Sequence, residues 1–162
     1  MSVVTPELRA KFDQVVSRYP ADQRQSAVIP LLHLFQESHG GSLTTEHQQA
    51  VADYLGVPMS KVHEVTTFYT MYSLKPRGKQ HISICGTLPC ALCGCKDIVE
   101  AVQEKLGVAP EQVTADGQFS FQVVECLAQC HQGPVMQVGD TVYGNLTPES
   151  AKAVIDALGK KQ

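Results

Sequence analysis

Apolar residues over the first 75 positions recur every three or four residues, the period of a helix with one buried face. Leu8, Phe12, Val15, Val16 and Tyr19 form one stripe, and Val28, Leu31, Leu32 and Phe35 a second. Start and stop signals bracket them. Thr5-Pro6-Glu7 offers a cap, a proline whose missing N–H costs nothing in a first turn, and an acid facing the helix dipole. Pro20 ends the first helix. Asp22-Gln23-Arg24-Gln25 reads as a capping box for the second, Pro30 predicts a kink or tightened first turns, and Gly40-Gly41 stops it. Thr45 with Gln48 caps a third helix that runs to Leu55 and breaks at Gly56-Val57-Pro58. Ser60 caps a fourth, inward at Val62, Val65, Phe68 or Tyr69, and Tyr72, although the β-branched run Val65-Thr66-Thr67 favours it less.

Residues 73–79, with Pro76, Gly78 and the basic Lys75, Arg77 and Lys79, interrupt this period. After them strands alternate with helices. Residues 81–84 and 119–125 read as strands. Residues 97–106 read as a helix with Ile98, Ala101, Val102 and Leu106 on one side and Gly107 at its end. Residues 134–138 and 141–143 form a hairpin about Gly139-Asp140. Thr147-Pro148-Glu149 opens a last helix with Ala151, Val154, Ile155 and Leu158 inward. The fold class is α+β: a helical bundle over residues 1–75, then a β-α-β-β-β-α domain over residues 76–162.

Composition narrows the function classes. The net charge of −3 gives no general attraction to nucleic acid or anionic lipid. No apolar run is long enough to span a bilayer; Val28-Ile29-Pro30-Leu31-Leu32 is among the longest. The N-terminus lacks a basic and apolar secretory pattern. A reducing compartment is expected, where six cysteines read as metal ligands or redox groups rather than disulfides.

Those cysteines are patterned. Cys85-Gly86-Thr87-Leu88-Pro89-Cys90 is a C-x4-C and Cys126-Leu127-Ala128-Gln129-Cys130 a C-x3-C. Each follows a strand-like run, so two adjacent loops can aim four thiolates at one point. Thiolates select zinc, copper(I) or iron–sulfur clusters. Structural zinc sites favour paired C-x2-C knuckles, whereas two loops that each offer two thiolates suit a two-iron cluster. Cys90-Ala91-Leu92-Cys93 and Cys93-Gly94-Cys95 keep zinc open. Spacing ranks iron–sulfur above zinc, and both above disulfide. Gly86, Gly94 and Gly133 permit close backbone approach to sulfur, and Pro89 and Pro134 stiffen the loops. His131 adjoins Cys130, but a two-histidine cluster needs a second ring there, so a solvent-facing side chain is the plainer reading. His33, His39, His47 and His63 read as ordinary side chains.

The chain resembles the thioredoxin-like [2Fe–2S] subunit, known in bacteria as the E-type subunit, of the NADH dehydrogenase module of respiratory complex I. Related subunits occur in NAD-linked hydrogenases and formate dehydrogenases. The resemblance rests on Val65-Thr66-Thr67-Phe68-Tyr69-Thr70-Met71-Tyr72, both cysteine motifs, and Tyr143-Gly144-Asn145-Leu146-Thr147-Pro148-Glu149. It implies a helical partner-docking domain and a thioredoxin-like domain with one low-potential [2Fe–2S] cluster on Cys85, Cys90, Cys126 and Cys130. It implies a partner subunit that binds FMN and NADH and carries a [4Fe–4S] cluster, further complex subunits, and a place on the cytoplasmic side of the inner membrane. It implies an electron-transfer subunit without a catalytic residue of its own, and a partner surface on the helical domain and the segment 68–77. One departure stands out. Where the family runs leucine-arginine-glycine, this chain runs Leu92-Cys93-Gly94-Cys95. The lost arginine charge is expected to lower the potential, and the two extra thiols are read as buried bystanders.

Three other readings compete. Cys90-x-x-Cys93 before a helix has the spacing of a thiol oxidoreductase but leaves the second pair unexplained. The helix pair around residues 52–65 resembles a helix-turn-helix, yet Lys61 is the sole Lys or Arg between Ser60 and Tyr72. A structural zinc module is the third. There is no G-x-G-x-x-G or Walker loop, which fits NADH binding in another subunit.

Overall fold

Thr5 adopts an extended conformation and its hydroxyl accepts the Leu8 N–H at 3.2 Å, which starts α1 (Pro6–Val16). In this computed structural model, which describes residues 3–160, the chain divides into two compact units, Met1–Pro76 and Arg77–Gln162.

In the first unit Leu8, Phe12 and Val16 of α1 are buried. The segment 22–25 does not form the expected capping box. It winds as a 3-10 stretch, Ala21–Ala27, exposed except for the buried Ala27 and with no side-chain cap. Pro30 explains the delay, because it has no N–H to give an earlier helix. It sits instead in the first turn of α2 (Val28–Ser38), where that N–H would have no acceptor. Val28, Leu31, Leu32 and Phe35 are buried as the stripe requires. Gly41 N–H bonds the Gln36 carbonyl at 2.8 Å and closes the helix.

α3 (Thr45–Leu55) is capped by Thr44, not Thr45, and the box partner is His47, not Gln48. Thr44 Oγ1 accepts His47 N–H and His47 Nδ1 accepts Thr44 N–H, both at 3.2 Å. Gln48 falls on the buried side, where its Oε1 accepts the Thr66 hydroxyl at 3.1 Å. α4 (Met59–Phe68) begins directly after Pro58, so Ser60 lies inside it and caps nothing. Its buried residues are Val62 and Thr66. Phe68 and Tyr69, one of which was expected inward, are 78% and 36% exposed, and Tyr72 reaches the core only beyond the helix, its hydroxyl bonded to the Ile29 carbonyl at 2.9 Å. The Thr66 and Thr67 hydroxyls bond the His63 carbonyl at 3.0 and 2.8 Å, which lets the β-branched run stay helical. Phe12 meets Phe35 and Tyr54 edge-on, with centroids 5.3 and 5.2 Å apart.

The second unit is a four-stranded mixed sheet. β1 (Gln80–Cys85) pairs parallel with β2 (Phe119–Val124) and antiparallel with β3 (Met136–Val138), which pairs with β4 (Thr141–Tyr143). The order is β2-β1-β3-β4. A parallel pair needs a crossover, and two helices supply it. One is α5 (Leu88–Leu92), which the pattern did not predict. Leu88 and Leu92 are 70% and 80% exposed, so it has no apolar stripe to reveal it. The other is α6 (Cys95–Leu106), which starts two residues earlier than expected and ends at Gly107, φ 68°. α7 (Pro148–Gly159) is capped by Thr147 with Ser150. Ile98 and Val102 of α6 and Ala151 and Ile155 of α7 join Ile82, Ile84, Phe121 and Met136 in one core. Lys105 pairs with Asp156 at 2.6 Å, and Lys152 with Glu104.

Candidate metal centre

β1 and β2 run parallel in register, with Cys85 opposite Val124, so both strands release their loops at the same sheet end. Cys85 closes β1, and Cys126 lies two residues past Val124. Gly86 N–H bonds the Val124 carbonyl at 2.8 Å and Cys85 N–H bonds the Val135 carbonyl at 3.1 Å, which fixes both loop roots. A Cβ on Gly86 would stand 2.7 Å from Val123 Cγ1, so the close approach of the two loops needs glycine there.

The four candidate cysteines divide by burial. Cys85 and Cys90 are 1% and 0% exposed and share an apolar cluster with Cys95 and Val135, backed by Leu127 and Val142. Cys126 and Cys130 face solvent. The loops nevertheless meet. Cys85 Sγ lies 3.7 Å from the Glu125 carbonyl and accepts the Leu127 N–H. A Cβ on Gly133 would sit 3.4 Å from Cys90 Sγ and 3.8 Å from the Cys130 carbonyl. Ala128 N–H bonds Cys126 Sγ at 3.3 Å, with Ala128 held in the left-handed region at φ 57°. Such strain in a short loop is kept where the surrounding structure demands it.

Hydrogen bonding separates the buried pair. Burial pushes the Cys85 thiol up, but hydrogen bonds from the Thr87 side chain, the Thr87 and Leu127 backbones and the Cys90 thiol outweigh it and bring it to about 7. Burial, then the hydrogen bond to Cys85, pushes Cys90 up to about 11, although the Val135 backbone opposes this. Of the two, Cys90 resists ionisation, and a bound metal cation stabilises such a buried thiol as its thiolate. Among the described residues no three His, Cys, Asp or Glu side chains are gathered closely enough to hold a metal ion. Two thiols on each of two adjoining loops, an N–H aimed at sulfur and glycines where the loops approach are nevertheless the kind of donor set an iron–sulfur cluster takes.

Other candidates fall away from this end. His131 is exposed on the 3-10 turn Cys130–Gln132. His81 is near the far end of β1, about 13 Å from Cys85 along the strand. Burial, then the nearby Arg77 charge, holds its ring to about 4, and its Nδ1 meets Ser120 Oγ at 2.8 Å. Cys95 is buried, but Cys93 is exposed, which corrects the expectation of two buried bystanders. A helix-flanked C-x-x-C oxidoreductase needs an accessible, acidic first thiol, whereas Cys90 is buried and raised. In the α3–α4 pair Lys61 is matched to Glu64 at 3.1 Å. Sequence reasoning missed Thr87, whose hydroxyl lies 3.2 Å from Cys85 Sγ. Its position two residues after a cysteine was the only available signal.

Paired cysteine loops at the ends of adjacent parallel strands are an arrangement suited to an iron–sulfur protein. The chain belongs to the thioredoxin-like [2Fe-2S] ferredoxin family, whose model matches residues 12–159. It is 44% identical over 146 residues to the E subunit of NADH-quinone oxidoreductase from Rickettsia bellii (strain RML369-C), covering 90% of this chain and 87% of that protein. It is 40% identical, with the same coverage, to the protein of that name from Rickettsia conorii (strain ATCC VR-613 / Malish 7). Among solved structures it matches an NAD+-reducing [NiFe]-hydrogenase in the H2-reduced state with a TM-score of 0.70 and 14% identity, over 84% of this chain and 22% of that one. That likeness is one of fold.

Proposed function

We propose that the chain is the electron-transfer subunit of an NADH:quinone oxidoreductase and holds one [2Fe–2S] cluster on Cys85, Cys90, Cys126 and Cys130. The observation that carries the reading is the parallel register of β1 and β2, which brings both cysteine loops to one sheet end. The names of relatives at 44% and 40% identity support the quinone-linked complex over a hydrogenase, to which the likeness is in fold. When bound, the cluster takes up and returns single electrons. The protein's own groups set the conditions. Burial of Cys85 and Cys90 excludes water from one side, and the N–H groups of Thr87, Leu127 and Ala128 and the Thr87 hydroxyl favour negative charge on sulfur.

The chain has no catalytic residue in this reading and works inside a multisubunit complex. Its partner is a flavoprotein that binds FMN and NADH and carries a [4Fe–4S] cluster, at the cytoplasmic side of the inner membrane. Among the described residues no helix is long and apolar enough to cross a membrane. The helical unit supplies the docking surface. Phe68, Tyr69, Met71 and Leu74 are large, apolar and exposed within one short segment, as an interaction site requires.

The test is anaerobic NADH reduction, followed by visible absorbance and EPR, with and without the flavoprotein partner. Reduction that needs both the flavoprotein and the cluster is expected. Reduction of the isolated chain by NADH, or a cluster that stays oxidised in the complex under full reduction, would overturn the proposal.

A further inference from the structure

Four threonines occupy helix N-cap positions, and one behaves unlike the rest. Thr5, Thr44 and Thr147 each accept a backbone N–H from the first turn of their helix. Thr87 has the same extended conformation, φ −70° and ψ 165°, before α5 but makes no side-chain cap. A threonine at this position ordinarily caps its helix. Its hydroxyl instead lies 3.2 Å from Cys85 Sγ.

We propose that Thr87 is a positioning residue that raises the reduction potential of the cluster by donating its hydroxyl proton to Cys85 Sγ. The proposal rests on Cys85 being a ligand. A ligating sulfur carries no proton, so it can donate neither to Thr87 nor to the Glu125 carbonyl 3.7 Å away. The Thr87 O–H becomes the donor by necessity. Reduction adds negative charge that spreads onto the sulfurs, and a donor stabilises that state more than the oxidised one. The Glu125 carbonyl faces the same sulfur with its negative end and works the other way. Cys85 is 1% exposed, so water does not replace a lost donor, and the low local dielectric enlarges the effect. The Thr87 and Leu127 N–H groups also serve Cys85, but they belong to the backbone and survive side-chain replacement. The hydroxyl is the adjustable part.

The experiment is an EPR-monitored redox titration of the full chain and of Thr87→Val, Thr87→Ala and Thr87→Ser, with iron and acid-labile sulfide counted on each sample. Thr87→Val and Thr87→Ala are expected to keep iron and sulfide at parental levels. At a fixed applied potential their reduced-to-oxidised ratio is expected to fall by up to about tenfold, a shift of up to about 59 mV to the negative. Thr87→Ser, which keeps the hydroxyl, is expected to stay near the parent. An unchanged potential in the hydroxyl-free variants, or equal shifts in all three, would overturn the proposal. So would loss of the cluster from both hydroxyl-free variants with Thr87→Ser intact, since Thr87 would then be needed to hold the cluster. Absence of iron and sulfide from the parent is a different failure: it removes the cluster reading, and this proposal with it.

Discussion

Cys126 and Cys130 lie open to solvent while Cys85 and Cys90 are sealed in an apolar cluster, so the proposed ligands differ in what their loss does to the fold. Cys126→Ala is a surface change and is expected to alter stability of the cluster-free chain by no more than about 0.5 kcal/mol, yet to abolish cluster binding. Cys90→Ala is expected to abolish binding and also destabilise the cluster-free chain, because it opens a void beside Val135. Iron analysis and urea unfolding separate the two effects. Thiol reactivity gives an independent check. In the cluster-loaded protein an alkylating reagent is expected to label Cys93 quickly and Cys126 and Cys130 only after the cluster is removed. Spacing after strand-like runs was enough to select Cys85, Cys90, Cys126 and Cys130 as candidates. The direction of a side chain is not encoded in spacing. Hence Cys93 was expected inside and is outside, and Thr87 went unnoticed because its target is a sulfur, not its own helix.

Among the elements, α3 shows how small a shift changes the chemistry. Its cap moves by one residue to Thr44, and His47 becomes the reciprocal partner. Neighbouring threonines look alike in sequence, and only the extended backbone at Thr44 decides between them. Thr44→Ala is expected to cost about 1 kcal/mol in urea unfolding. Burial, then the nearby His39 charge, lowers the His47 pKa below its usual 6.5, although Glu46 and the Ser42 backbone oppose this. In the window below about 6.5 the unfolded chain therefore binds the proton more readily than the folded one. The contribution of His47 is full above that value and is lost as pH falls toward the lower folded pKa. Protonation also turns the accepting Nδ1 into a donor facing the Thr44 N–H. His47→Gln keeps a standard box residue. It is expected to hold stability at pH 7 and to flatten the decline between pH 7 and 5; an unchanged slope would remove His47 as its cause. Gly78 illustrates a tighter constraint. A Cβ there would stand 2.4 Å from the Phe119 carbonyl carbon, so Gly78→Ala is expected to destabilise by about 1–3 kcal/mol.

For the whole molecule, the change of hydrophobic period around residues 73–79 separates a helical half from a sheet half, and the chain divides into units at Pro76 and Arg77. Strand identity was legible because Ile82 and Ile84, and Phe119 and Phe121, alternate onto a common core. Strand order was not, since β1 pairs with a strand 39 residues later in register, Gln80 opposite Phe119, and no local signal reports that. That pairing is what brings the two cysteine loops together. In the assembled complex, Phe68→Glu is expected to weaken capture of the flavoprotein partner in a pull-down while leaving the cluster's EPR spectrum unchanged, because Phe68 is exposed and lies in the other unit.

The central claim is that four cysteines on two loops hold a two-iron cluster. EPR of anaerobically purified, dithionite-reduced protein, with iron and sulfide counted on the same sample, tests it most directly. The account predicts a rhombic S = 1/2 signal with about two irons and two sulfides per chain, absent from Cys126→Ala. Bound zinc with no signal, or a signal that survives in Cys126→Ala, would contradict it.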